Sequence, residues 1–590
     1  GNASDKLAPT LQLSKNPSAT SPRNHSQIGL SSGLMSSGSE SEPRHNKTPR
    51  SGRNHINLED LAASRRFPAH TVCITPHKRD ELRLFGIPSG LVDRVEEALQ
   101  FCGLPVCRSD SIRPRGLFLT VRLRPSGGTL WDSTVNVSDF VASRTLLLRL
   151  LEALGGGGYD LTACIAQSAH RQDKGLSTLF LRKHKHRSAA LGCVGIDGTD
   201  KLIFIGLPPS VTSEMQSVVN SVWTSGTTVA SHGGVHGGAV QLQLAGAPFG
   251  SACVGRSESW LSVRMVMLRV LSKLHTSRWR SIADTRNNGP SCLIFEHREN
   301  PEPTFVSGSA GAGEQGRGRV PPGLFMMSTY RGDRLSVVGA PKSLLHVIST
   351  CVKQEWHKGH EESTERTRVG AEEVLQSHIH LFGNPWSSDR QQSTLGQFIL
   401  CRIMTALRRA GAPLVGTCKL SQDEEEVSHF LLELPSPRVA SATTFHGDVI
   451  ALSLVGTHKI RLTHNAPSNV IAHIRQSISE AGQWGVEGED IESLKLPSDN
   501  GYEMSITGHG HPWRVEGTDS VESCVALPPR SLTATILEAL KINGWYVIAS
   551  CTTAIPASYS SATLHAASGS AAMAIAEIGT VFLSSKSYAM

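Results

Sequence analysis

Twenty-five histidines in a chain of 590 residues put metal chemistry first among the candidates. His378 and His380 alternate, so on a strand both imidazoles share one face, and His509 and His511 repeat that spacing. Two imidazoles can begin a zinc site, but at least a third ligand must come from elsewhere. The corresponding positions earlier in the chain hold Arg122 and Arg124, then Gln243 and Ala245. His232 and His236 stand four apart, as in HExxH, yet they lie among glycines and lack the glutamate. No metal and no cofactor are expected.

Other chemistry is weaker still. Gly311–Gly316 has the GxGxxG spacing of a dinucleotide loop, but its neighbours are Gly, Arg and Pro instead of a strand and a helix. The acidic runs Asp423–Glu426 and Gly488–Glu492 read as solvated loops. No GxSxG elbow, Walker loop or recurrent Ser/His/Asp context is present. An enzyme is therefore the third reading, with a site assembled between domains. The densest basic cluster runs from Arg182 to Arg187, where Arg182, Lys183, Lys185 and Arg187 could contact the phosphates of RNA or an acidic lipid.

Composition sets the outer limits. Hydrophobic residues are 39% and charged residues 18%, which suffices for several cores and excludes a wholly disordered chain. Aromatics are only 5%, thin for a surface that stacks bases along a strand. The net charge of +7 is mild, and residues 1–66 hold nine Lys/Arg against five Asp/Glu. That opening segment is rich in Ser, Pro and Gly and reads as a disordered basic tail. The 12 cysteines form no CxxC pair, so free thiols in a reducing compartment are expected. No apolar run is long enough to span a membrane and no secretory signal opens the chain, which points to the cytoplasm or nucleus.

The elements that must position these residues repeat. Asp80–Pro88, Asp200–Pro208, Asp333–Pro341 and His458–Pro467 each alternate apolar residues, then reach a small-residue turn and a proline. Each leads into an amphipathic run, at Leu91–Leu99, Val211–Val222, Leu344–Val352 and Val470–Ile478. A second series of strand, tryptophan and apolar helix follows in register. Its tryptophans are Trp131, Trp260, Trp386 and Trp513; its helices are Thr145–Leu154, Met265–Leu274, Gln397–Leu407 and Ser531–Leu540. The prolines lie about 120–133 residues apart, the size of a small domain. The DxLxxxGxP element resembles the strand–turn–helix of KH-like RNA-binding modules. That resemblance implies an RNA backbone clamped by a GxxG loop, and no such loop recurs.

The fold class expected is α+β: a tandem array of about four related β-α-β-α-β-β units after the tail. The units fall at 67–190, 191–322, 323–440 and 441–590. Gly226–Gly238, Pro301–Pro322 and His357–Arg368 read as flexible surface insertions, and the array as an elongated scaffold. The four tryptophans read as core caps. The function expected is a non-enzymatic intracellular scaffold with a protein partner, the alternative being RNA or acidic-lipid binding through Arg182–Arg187 and the tail.

Overall fold

The computed structural model describes residues 68–585 apart from loop segments, the longest being 300–322, 490–501, 514–526 and 552–576. Unit one contains β1 (Thr71–His77), β2 (Glu81–Phe85), α1 (Val92–Phe101), β3 (Val106–Arg108), β4 (Phe118–Leu123), α2 (Val137–Gly155), β5 (Tyr159–Ala166) and β6 (Ser177–Lys183). Unit two repeats the order with β7 (Leu191–Asp197), β8 (Lys201–Ile205), α3 (Pro209–Val222), β9 (Thr227–His232), β10 (Ala239–Leu244), α4 (Ser257–Thr276), β11 (Trp279–Arg286) and β12 (Ser291–His297). Unit three has β13 (Leu324–Tyr330), β14 (Arg334–Val338), α5 (Lys342–Glu355), β15 (His360–Val369), β16 (Glu372–Leu381), α6 (Arg390–Arg409), β17 (Leu414–Cys418) and β18 (Glu426–Glu433). Unit four has β19 (Val449–Val455), β20 (Lys459–Leu462), α7 (Ser468–Glu480), β21 (Trp484–Glu489), β22 (Tyr502–Gly508), α8 (Leu527–Ile542), β23 (Trp545–Cys551) and β24 (Glu577–Ser585).

Four tandem α+β units are thus present, each β-β-α-β-β-α-β-β. An opening strand and an outer strand after the first helix are added to the order expected. Each unit forms one antiparallel six-stranded sheet, in unit one ordered β3-β4-β2-β1-β6-β5, and the other three sheets follow the same order. The proline turns coincide. Pro88, Pro208 and Pro341 share φ near −60° and ψ near 150°, and the carbonyl of each of the four prolines accepts a bond from the first helical turn. The residue two before proline is Gly86, Gly206 or Gly339 in three units, with φ of 73°, 70° and 79°, a left-handed conformation that a side chain would strain.

The sequence of the central strands explains how units join. β1 and β19 are buried at every residue, so both faces of each sheet are covered. One face receives the unit's own helices and the other the second helix of the preceding unit. α2 lies on β7 and β8, α4 on β13, and α6 on β19. α8 closes the series: Leu532 and Ile536 share a core with Cys73, Phe85 and Phe180 of unit one. The linking helix α2 is accordingly buried over most of its circumference, as a helix between two sheets must be.

The inner edges close as well. β5 contacts β11, β11 contacts β17, β17 contacts β23, and β23 contacts β5. Cys164 Sγ donates to the Asp284 carbonyl at 3.2 Å, Thr417 Oγ1 to the Ser550 carbonyl at 2.6 Å, and Ser550 Oγ to the Cys164 carbonyl. Each inner strand carries a bulge at the same register, ending at Ala163, Ala283, Gly416 and Ala549. Small residues there let four strands converge. The array is consequently a closed ring, and the elongated arrangement expected from tandem repeats is corrected: the sequence shows that units repeat, but not that the last one returns to the first.

Two of the expected flexible insertions are strands. His357–Arg368 contains most of β15 and Gly226–Gly238 contains β9. Both are outer edges exposed on both faces, so neither shows the apolar alternation that marks a half-buried strand. The tail at 1–66 and the segment Pro301–Pro322 lie outside the described residues.

Candidate functional site

Chemistry-bearing residues concentrate at the seams between units, where the linking helix meets the next sheet. Phe140 and Arg144 of α2, Trp260 and Arg264 of α4, Ser393 and Gln397 of α6, and Arg530 of α8 occupy corresponding places, all buried. Arg264 donates to Ser336 Oγ at 2.7 Å, Gln397 bridges Ser453 Oγ and Thr580 Oγ1, and Arg530 Nε reaches Thr75 Oγ1 at 3.3 Å over the Phe85 ring. The receiving sheet offers a paired polar couple: Thr75 with Thr178 at 3.2 Å, Ser328 with His429 at 2.6 Å, and Ser453 with Thr580 at 2.7 Å. Ser328 and His429 alone would suggest a nucleophile and its base. Their equivalents are plain hydroxyl pairs, and both are sealed from solvent beneath Trp260, whose ring centroid lies 6.1 Å from that of His429. The couple satisfies buried polar groups and holds units together.

The tryptophan series needs one correction. Trp131, Trp386 and Trp513 are fully buried and donate from Nε1 to the carbonyls of Glu81, Arg334 and Lys459, the same place in three units. Trp260 lies inside α4 instead, at the place of Phe140. Phe249 takes the cap in unit two, its N–H bonding the Thr199 carbonyl as Trp386 bonds that of Gly332.

The structure scatters the other residues singled out from sequence. Arg182, half-buried on β6, pairs with Glu538 of α8 at 2.5 Å across the seam from unit four to unit one. It lines a cleft of about 200 Å³ with Lys541, Trp545 and Phe180. Lys183 is exposed, whereas Lys185 and Arg187 lie outside the described residues. His378 bonds the Tyr330 hydroxyl at 3.3 Å, and burial, then Arg264, lower its pKa. His380 bonds Asp333 at 3.0 Å and His232 bonds Gln241 at 2.9 Å. Among the described residues no group of three or more His, Cys, Asp or Glu is placed to hold a metal. Gly311–Gly316, His236, His509, His511 and most of both acidic runs lie outside the described residues.

Three features were missed from sequence. A second cleft, about 220 Å³, opens at the seam from unit two to unit three, with the buried His275 and Trp279 and the half-buried Arg280 and Glu433 in its wall. Burial, then Arg280, lower the His275 pKa to about 4. Cys193 and Cys292 stand with their Sγ atoms 3.0 Å apart. Only the pairing of β7 with β12 brings these two together, and their separation of 99 residues carries no motif. The outer strand β9 is the third, hidden by its lack of periodicity.

Four sheets of one topology, joined helix to sheet in a closed cycle, define a repeat protein whose recurrent polar residues serve its own seams. Comparison with known families agrees: one domain-family model matches four times, over residues 70–182, 190–290, 324–432 and 448–565. The chain belongs to that family as four tandem copies of its domain. No curated protein matches the chain. Among the described residues no helix is long and apolar enough to cross a membrane.

Proposed function

We propose that the chain is a non-enzymatic platform for a protein partner, which adds a strand to the open edge of β9. The observation that carries this reading is a departure from the repeat. Of the outer strands, β3 bears Arg108, β15 bears Glu361, Glu362, Glu365, Arg366 and Arg368, and β21 bears Glu487 and Glu489. Charge on an edge discourages further pairing. β9 reads TTVASH, pairs only with β10 in its sheet, and leaves Val229 46% exposed. An extended peptide would bond its free N–H and C=O groups, with alternate side chains selecting the partner. A cytoplasmic or nuclear setting belongs to the same proposal, and described cysteines such as Cys73, Cys193, Cys292 and Cys401, which are not in disulfides, accord with it.

The test compares the full chain with Val229→Lys, each used to capture partners from cell extract treated with nuclease. The expected result is a partner that survives nuclease on the parent chain and is lost on the variant, with melting temperature unchanged. Full retention by the variant refutes docking on β9. Material lost on nuclease or at raised salt instead favours RNA or acidic lipid around Lys183, a reading weakened by the Arg182–Glu538 pair.

A further inference from the structure

Three of the four seams end on couples without a thiol: Thr75 with Thr178, Ser328 with His429, and Ser453 with Thr580. The seam from unit one to unit two is built differently. At the place of those first residues β7 carries Gly195, and a Cβ there would come within 2.5 Å of the Phe140 ring from α2. Cys292 of β12, opposite Gly195, cannot find a hydroxyl there. It turns to Cys193, two residues back along β7, and the sulfurs meet at 3.0 Å. Both thiols are buried, at 0% and 2% exposure. The hydrogen bond from Cys193 holds the Cys292 thiol below its ordinary value, and the Arg144 guanidinium adds to that lowering; the same bond and burial raise Cys193.

We propose that Cys193 and Cys292 are a dithiol modification site, oxidised by a hydroperoxide to a disulfide that loosens the docking of α2 at this seam. The Cys292 thiolate attacks a peroxide oxygen, the O–O bond breaks, and Cys292 becomes a sulfenic acid as one water or alcohol leaves. Cys193 Sγ then attacks the Cys292 sulfur, an S–S bond forms, and the hydroxyl departs as water with the Cys193 proton. Two electrons pass from the sulfurs to the peroxide. The sulfurs need to close by about 1 Å to reach bonding distance. Closing the bond draws Cys292 toward Cys193 beside Gly195 and the Phe140 ring of α2, the helix that binds unit one to unit two.

The full chain is treated with hydrogen peroxide, alkylated with iodoacetamide in denaturant, digested without reductant and mapped by mass spectrometry. The expected product is a peptide joining Cys193 to Cys292, reversed by dithiothreitol. Amide exchange across Val137–Gly155 is expected to quicken about tenfold in the oxidised chain and not in Cys193→Ser. Both cysteines alkylated, at doses that oxidise the chain's other thiols, overturns the site. A disulfide that leaves α2 exchange unchanged overturns its link to the seam.

Discussion

Trp386→Ala tests whether the recurrent indole is a core cap, and the repeat supplies its own calibration. The ring is 1% exposed, bonds the Arg334 carbonyl at 3.1 Å and lies against Gly396. Truncation removes an aromatic that buries about 150–250 Å² and leaves a cavity, for a loss of about 3–5 kcal/mol. Trp386→Phe should behave otherwise. Phe249 holds the corresponding place in unit two without an indole N–H, so phenylalanine fits the local backbone. That variant forfeits one hydrogen bond and a modest volume, for about 1–2 kcal/mol. Guanidinium unfolding followed by far-ultraviolet circular dichroism reads both, provided the dependence on denaturant is the same in all three chains. An alanine variant within about 1 kcal/mol of the parent refutes the cap. A phenylalanine variant as damaging as alanine refutes the equivalence of Phe249 with Trp386.

Two further predictions concern pH. Burial and Arg280 hold His275 at about 4, and Glu433 Oε2 at 3.8 Å is beyond a hydrogen bond. The unfolded chain takes up this proton near pH 6.5, so stability falls as pH drops from about 6.5 to 4, by about 3 kcal/mol in total. His275→Gln should flatten that limb of melting temperature against pH, and an unchanged slope refutes it. Glu503 acts in the same direction but by a different cause: burial raises its pKa, but Arg461 at 2.9 Å and Lys459 outweigh burial and lower it. Its contribution is present above the unfolded carboxylate range and lost as pH falls through the lower folded value. Glu503→Gln strands the buried Arg461 charge and should cost about 3–5 kcal/mol at neutral pH, with the gap closing in acid. A gap constant from pH 7 to pH 3 refutes the coupling.

How much could be read in the sequence follows from which signals are local. The proline turns, the amphipathic helices and the strands beside them were legible because 2- and 3.6-residue periodicities record one-sided burial. β15, with HEESTERTRV exposed on both faces, has no such record. The misplacement of Trp260 has the same root. Spacing along the chain put it with Trp131, whereas register places it with Phe140, and only the pairing of Phe249 N–H with Thr199 distinguishes them. The contacts of Arg530 with Thr75 and of Cys193 with Cys292 span 455 and 99 residues, and no spacing rule reaches so far. Arg182 was found by its charge, but the partner that engages it, Glu538, comes from the far end of the ring.

Fourfold repetition also separates structural from functional residues without any homologue. A polar residue that recurs at one place in every unit has a job every unit shares, and here that job is the seam. Ser328 and His429 lose their catalytic look on this ground, since Thr75 with Thr178 and Ser453 with Thr580 do the same work without a base. Departures carry the opposite weight. A copy that abandons the common solution has been released from the shared constraint or has acquired one of its own. Unit two departs twice: its outer strand β9 contains no Lys, Arg, Asp or Glu whereas the other three outer strands do, and its seam has paired thiols. One departure lies on an exposed outer strand and the other faces inward to α2. Val229→Lys and Cys193→Ser therefore ask separate questions, and neither answer constrains the other.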